Sequence, residues 1–448
     1  MEKVKKFFDF EVQNKLFDIV DQYGLRPWEA VRYEVMMSVL YKPIIHFSEF
    51  KTPFLLFRLL YLLEKLMRFS IYLFTHNNKE NLFVLCSRDK KDGILYDKIL
   101  DRLYALVDKN TSFTIETKET YHQQNYKYGK SVAPDISHYL AKISTSWYDY
   151  GDIIKMVKQE FPESSITITK MNKCYREFVT EYKFYRHILR RCHIKRIFLV
   201  QNGIRKGLFA AANEMGIKMI ELQHGQISVN HPAYSYPSEA LIPSSKVYHP
   251  DYLLTFGPFW SKNRHYPGVE DLVIGNESYA EDIGKSNTNT NTNKKLLVIS
   301  NNIEGKLLAK RIDEVLAYDP TFFFFFKLHP DQYNEYEYYN NYFRSTDRVI
   351  VISNQQSINQ LLSQCEGVFL NDSTVELEAL RMGRKVFVLT EQYFECMDFV
   401  LGEEGVYACK DINEFFAKYK QSQNVTLQPR DDFFCKFDEK VAKKMLRI

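Results

Sequence analysis

Through the first 80 residues apolar side chains recur at helical spacing with few glycines, which predicts a helical extension ahead of any sheet. From Asn81 the period changes. Short apolar runs at 82–86, 112–116, 166–169, 197–200 and 219–222 alternate with amphipathic segments, the signature of a parallel sheet flanked by helices. In one unit the run 197–200 ends at Gln201-Asn202-Gly203, a helix follows through Ala211, and Gly216 stops it before the next strand. That is a βαβ module. Residues 252–260 read as a further strand closed by a Gly-Pro turn, with aromatics that serve packing.

Residues 285–294 alternate Asn with Ser or Thr between two lysines, hold no apolar side chain, and read as a linker or exposed loop. A second series then begins: strand 296–299, helix 306–316, strands 322–328 and 349–352, helix 357–365, strand 367–370, helix 374–382 and strand 385–389. The expected architecture is α/β, with two Rossmann-like domains facing a cleft. Its parts are a helical extension (1–80), a first domain (81–284), the linker (285–294), a second domain (295–425) and a C-terminal helix (426–448) crossing back onto the first domain. Ligands of such sheets sit at the carboxyl ends of the strands, so the residues just after each strand carry the functional weight.

Composition narrows the classes. With 448 residues and 45% apolar content the chain supports two folded domains. Its 60 basic and 56 acidic residues leave +4, no footprint for a nucleic-acid binder. Cys86, Cys174, Cys192, Cys365, Cys396, Cys409 and Cys435 lie far apart with no CxxC pair, so neither a zinc cluster nor a disulfide framework is indicated, and a reducing, cytoplasmic setting fits. The charged N-terminus holds no signal-peptide core. Residues 54–74 are the most apolar stretch, but Arg58, Glu64, Lys65 and Arg68 interrupt it. It reads as an amphipathic helix whose apolar face packs on the protein or lies on a membrane surface; the sequence leaves both open.

Three motifs follow expected strands. In Leu222-Gln223-His224-Gly225 the glycine permits close backbone approach and the imidazole titrates near neutral pH, as a general base for an acceptor hydroxyl must; a structural histidine is the alternative. In Phe326-Lys327-Leu328-His329-Pro330 a phenylalanine strand ends in a cation, an imidazole and a stiff turn, a place to neutralise a departing diphosphate. In Asn371-Asp372-Ser373-Thr374 the hydroxyls open a helix whose N–H groups suit a phosphate, and Glu378 lies one turn on, while Glu376 points to another side; an ordinary cap explains the Ser-Thr pair as well. Asn202 and Gly203, Ser300 and Asn301, and Ser353 and Asn354 join them by position alone. No Asp-x-Asp follows a strand to bind a metal.

In this order, the set resembles the GT-B enzymes that build bacterial capsule, teichoic acid and lipopolysaccharide, among them the CDP-glycerol glycerophosphotransferases and the CMP-sugar capsule transferases. The likeness spans about residues 82–382. It implies an inverting, metal-independent glycosyltransferase, without a cofactor, that moves a sugar from a nucleotide sugar, CMP-linked donors included, to a growing surface glycan or lipid-linked acceptor. The setting it implies is the cytoplasm, with the inner face of the cell membrane as the place of a lipid-linked acceptor. Carried over residue by residue, His224 is a candidate base beside Gly225, Lys327 and His329 contact the donor phosphates, Ser373 and Thr374 hold them from the opposite loop, and Glu378 reaches the ribose. In several such families the base is a carboxylate near the first strand; Asp89 and Asp92 stand there as rivals, in what also reads as a charged turn. The Trp before His224 and the Ser-Ser pair that are common in the glycerophosphate branch are not seen in these motifs, which departs from that branch. A sugar-nucleotide 2-epimerase shares the scaffold, but its usual Ser-Gly-Gly run is absent at Ser373-Thr374-Val375. A non-catalytic scaffold of polysaccharide assembly is the remaining alternative.

Overall fold

The computed structural model describes residues 2–40, 55–76, 78–87, 89–117, 125–128, 132–200, 203–238, 248–262, 268–276, 294–301, 304–371, 373–391 and 400–447. They fall into two compact units, one of Met1–Phe256, Arg264–Gly275 and Phe437–Ile448, the other of Gly257–Asn263 and Asn276–Lys436. Each unit is built on a parallel sheet.

In the first unit the strands are β1 (Asn81–Leu85), β2 (Asp89–Lys91), β3 (Ile94–Tyr96), β4 (Ser112–Glu116), β5 (Ala133–Pro134), β6 (Arg196–Val200), β7 (Lys218–Leu222), β8 (Tyr252–Thr255) and β9 (Glu270–Val273). Seven pair in the order β5-β4-β1-β6-β7-β8-β9, all parallel, while β2 and β3 form a separate antiparallel hairpin. The strands are apolar on both faces because both faces are covered. Leu82, Val84, Phe113, Ile115, Ile197 and Leu199 pack against Tyr185, Ile188 and Leu208. Phe83, Phe198, Ile220 and Leu222 pack on the other side against Leu103 and against Ala442 and Met445 of the C-terminal helix Glu439–Met445. That helix starts at Asp438, whose carboxylate accepts from the N–H groups of Lys440 and Val441.

Helices Glu2–Gln13 and Pro27–Leu40 belong to the same unit. Phe7 and Phe10 meet Trp28 and Phe161 in one aromatic cluster. Residues 166–169 were expected as a strand, since they alternate β-branched side chains. They instead open the helix Ile168–Cys192: the Thr167 hydroxyl accepts from Lys170 N–H, and Met171, Tyr175, Phe178, Tyr185, Ile188 and Leu189 bury one helical face. A side-chain cap outweighs local β preference once a long amphipathic run follows.

The second unit holds β10 (Lys295–Ile299), β11 (Phe323–Lys327), β12 (Val349–Ile352), β13 (Gly367–Leu370), β14 (Lys385–Leu389) and β15 (Val406–Cys409), parallel in the order β12-β11-β10-β13-β14-β15. Phe322, Phe324 and Phe326 face a core with Phe369, Phe387, Phe415 and Tyr419. The sequence reading did not anticipate β5, β9 and β15, each short. Of the expected linker 285–294 only Lys294 is described, paired with Asp319 at 2.7 Å; the rest lies outside the described residues.

Candidate functional site

Four neighbouring strands of the second unit, β12-β11-β10-β13, present their carboxyl ends side by side; the donor-site candidates of that unit lie at or just beyond these ends, except Glu378, which lies in the helix after β13. Lys327 ends β11. Its buried ammonium donates to the backbone carbonyl of Ser353, the first residue after β12, and burial lowers its pKa. His329 is exposed two residues on; its Nδ1 accepts from the N–H of Asp331 at 3.3 Å and lies 3.4 Å from the Asp331 carboxylate. Ser300 and Asn301 leave β10. The Ser300 hydroxyl is buried and donates to Gln332 Oε1 at 2.9 Å, and the Asn301 side chain donates to the Glu304 carboxylate at 2.7 Å and accepts from the Glu304 N–H at 2.8 Å. The helix Gly305–Tyr318 then starts against these residues: a Cβ at Gly305 would sit 2.5 Å from both the Ser300 Oγ and the Tyr339 hydroxyl. Gly305, Gln332 and Tyr339 were missed by the sequence reading, because nothing local marks Gln332 and Tyr339 as partners of a strand end 30 residues earlier.

Beyond β13, the Ser373 Oγ accepts from Val375 N–H at 3.3 Å, and the N–H of Ser373 donates to the buried carboxylate of Glu376 at 3.2 Å. Thr374 occupies the cap position of Val375–Arg381 without a side-chain cap bond and is exposed. The expected cap pair is therefore corrected: Ser373 and Glu376 organise the turn, and Thr374 holds the cap position without a side-chain bond to the helix. Glu376 indeed lies on another side of the helix from Glu378, which is half-buried. Ser353 is half-buried, its hydroxyl directed to Gln355 at 3.2 Å.

In the first unit, Gln223 ties the ends of β7 and β8 together: its amide donates to the carbonyl of Gly225 at 2.7 Å and its carbonyl accepts from Phe256 N–H at 2.7 Å. This fixes the turn that carries His224, half-buried, toward His231. His231 Nδ1 accepts from Ala233 N–H at 3.2 Å, and burial, with His224 beside it, pushes its pKa down to about 4. The neutral ring belongs to the fold, so the unfolded chain binds the extra proton. Stability from this group is full above pH 6.5 and is lost as pH falls through about 4, a difference of about 3 kcal/mol by linkage. His231→Gln is expected to flatten that part of the acid limb in urea unfolding followed from pH 7 to pH 4.

The segment 231–236 is anchored from the N-terminal helices. The Arg32 guanidinium, fully buried, donates to the carbonyls of Pro232 and Ser235 at 2.9 Å each, pairs with Glu11 at 2.6 Å, and lies 3.9 Å from the Tyr236 ring centroid. Burial alone would lower its pKa, but Glu11, Tyr236 and Glu29 outweigh this and raise it. Gly203 has φ +80°, and a Cβ there would lie 3.0 Å from the Tyr33 ring. Beside it is a pocket of about 360 Å³ lined by Tyr33, Ser137, Glu177, Phe178, Gly203 and Arg205, from the helices Pro27–Leu40, Ser137–Ile143 and Ile168–Cys192 and the segment after β6. Arg205 binds Asp135 at 3.1 Å and Glu181 at 2.9 Å. Asn202 lies outside the described residues.

Asp89 and Asp92 sit on the β2–β3 hairpin, Asp92 (φ 50°) and Gly93 (φ 81°) forming its exposed two-residue turn. The carboxylates at the actual strand ends are others. Glu116, the buried last residue of β4, accepts from the Ser87 hydroxyl at 2.6 Å and its N–H at 3.1 Å. Asp97 accepts from three backbone N–H groups, and burial pushes it up to about 6. A carboxylate closing an apolar run was the available signal for Glu116. Among the described residues no group of three or more His, Cys, Asp or Glu could hold a metal ion, and no helix is long and apolar enough to cross a membrane.

Residues 306–399 match the family model of capsule polysaccharide biosynthesis proteins. The match takes in Lys327, His329, Ser353, Ser373, Thr374 and Glu378. No curated protein matches the chain. Similar solved structures include the UDP-GlcNAc 2-epimerase of Methanocaldococcus jannaschii in complex with UDP-GlcNAc and UDP, at TM-score 0.47 and 12% identity, covering 82% of this chain and 98% of that one. The UDP-GlcNAc 2-epimerase of Neisseria meningitidis bound to UDP-GlcNAc reaches 0.44 at 14% identity, covering 82% and 94%. MurG of Acinetobacter baumannii reaches 0.46 at 9% identity, covering 82% and 100%. Likenesses this remote select neither a reaction nor a ligand.

Proposed function

We propose that this chain is an inverting glycosyltransferase of surface polysaccharide assembly with a GT-B arrangement, the second unit holding a nucleotide sugar and the first an acceptor hydroxyl on a growing glycan or a lipid-linked carrier. One observation carries the reading: the cation, imidazole and hydroxyls at the ends of β12, β11, β10 and β13 all lie within or beside the stretch matched by the capsule family model. Lys327 and His329 neutralise the diphosphate, Ser373 and Thr374 donate to it, Glu378 accepts from the ribose, and Ser300, Asn301 and Ser353 line the nucleotide. The acceptor oxygen attacks the anomeric carbon as the bond to the phosphate oxygen breaks; that electron pair stays on the nucleotide, and the hydroxyl proton passes to His224. These groups supply charge stabilisation without a metal. His224 is preferred to Asp89 and Asp92 because it stands beyond a strand of the main sheet, whereas the aspartates lie on the outlying hairpin.

The test is product analysis with CMP-, UDP-, GDP- and dTDP-sugars in the presence of isolated surface glycan. Free nucleotide and a lengthened glycan, with inverted anomeric configuration, support transfer. An epimerised nucleotide sugar, or nucleotide binding with no product, overturns it.

A further inference from the structure

Helix Leu55–Thr75 carries two apolar faces. One is accounted for: Phe69, Tyr72 and Leu73 are buried in the first unit's core beside Phe113 and Phe184. The other is not. Leu60, Leu63, Met67, Ile71 and Phe74 are each 53 to 68% exposed. At about 100° per residue these five fall within an arc of about 80°, opposite the buried face. Single exposed leucines are ordinary; a continuous line of five large apolar side chains marks an interaction surface. Leu60 and Ile71, like Leu63 and Phe74, are 11 residues apart. Leu60, Met67 and Phe74 are also 7 residues apart, so spacing alone admits a bilayer or a second helix, and the charge beside the line decides between them.

Its Phe74 end is cationic. The Arg191 guanidinium lies 5.8 Å from the Phe74 ring centroid, and no ion pair holds it among the described residues. Arg191 lies in the last turn of the helix Ile168–Cys192, and no acidic residue occurs from 182 to 196. Arg190 and Arg186 are taken up by Glu214, and Arg68 flanks the stripe against Glu64 at 3.8 Å. An apolar line that ends beside an arginine held by no ion pair among the described residues is complementary to an anionic bilayer, with the side chains among the acyl chains and the guanidinium at the phosphates.

We infer that helix Leu55–Thr75 docks the protein on an anionic membrane surface through Leu60, Leu63, Met67, Ile71 and Phe74. The inference extends the proposed use of a lipid-linked acceptor, but vesicle binding reads it without any transfer reaction, so either can fail alone. The experiment is flotation of the full chain with vesicles of phosphatidylcholine alone and of phosphatidylcholine with phosphatidylglycerol in equal parts. Binding is expected to the anionic vesicles, to weaken with salt, and to fall about tenfold or more in Met67→Asp/Ile71→Asp. Arg191→Ala should lower it less. An unchanged melting temperature shows that the double variant folds; Leu63→Gln serves if it does not. Absence of binding to anionic vesicles, or equal binding by the folded variants, overturns the inference. So does a dimer in sedimentation without lipid that Met67→Asp dissociates, since a second copy would then cover the face.

Discussion

Arg32→Ala is expected to destabilise the first unit by about 3–5 kcal/mol, the range for removing one partner of a buried ion pair. The substitution leaves the Glu11 carboxylate buried with only the Trp28 indole N–H at 2.7 Å and takes the donor from the carbonyls of Pro232 and Ser235. Urea unfolding followed by tryptophan fluorescence reads the loss, because Trp28 belongs to the same cluster. Arg32→Lys should recover only part of it, since an ammonium cannot reproduce the fork that binds Glu11 twice. Lys155→Ala is the control: it removes an exposed pair with Asp152 and should change nothing measurable. An Arg32→Ala protein as stable as the parent would mean that the N-terminal helices do not hold the 231–236 segment.

His329→Ala is expected to lower the rate of transfer by about 10²–10³-fold, the usual consequence of removing one preorganised group from developing negative charge. The fold should be spared, because the ring is about half exposed and its bonds are local, to Asp331. The loss should appear in kcat more than in KM, since the interaction strengthens as the nucleotide departs. His224→Ala should lower kcat too, but leave nucleotide binding unchanged. That pair of variants separates donor from base by two different readouts.

Much of the architecture was legible because parallel strands buried on both faces are written as unbroken apolar runs: the spans around Leu82, Phe113, Phe198, Ile220, Phe324 and Val386 became strands within a residue or so of the expected limits. The error at 166–169 arose where a run of β-branched residues is governed by a capping threonine and a long helical face beyond it. Short edge strands such as β5 and β15 hold too few residues to show a period. For the site, strand-end position located Lys327, His329, Ser300, Ser353 and Ser373 on four adjacent strands. What the sequence could not disclose is tertiary: the Gln332 and Tyr339 support around Gly305, the salvage of Lys327 by the Ser353 carbonyl, and the hold of Arg32 on a loop two hundred residues later. Each joins residues with no local pattern in common.

The central claim is that the strand ends of the second unit bind a nucleotide diphosphate or monophosphate, and a thermal-shift titration of the full chain with CMP, CDP, UDP, GDP and dTDP tests it most directly. One nucleotide should raise the melting temperature, with a stabilisation of about 2.7 kcal/mol at a hundred times its Kd, and His329→Ala should reduce the effect at the same concentration. Stabilisation by none of them at millimolar concentration, or by the same nucleotide equally well in His329→Ala, would contradict it.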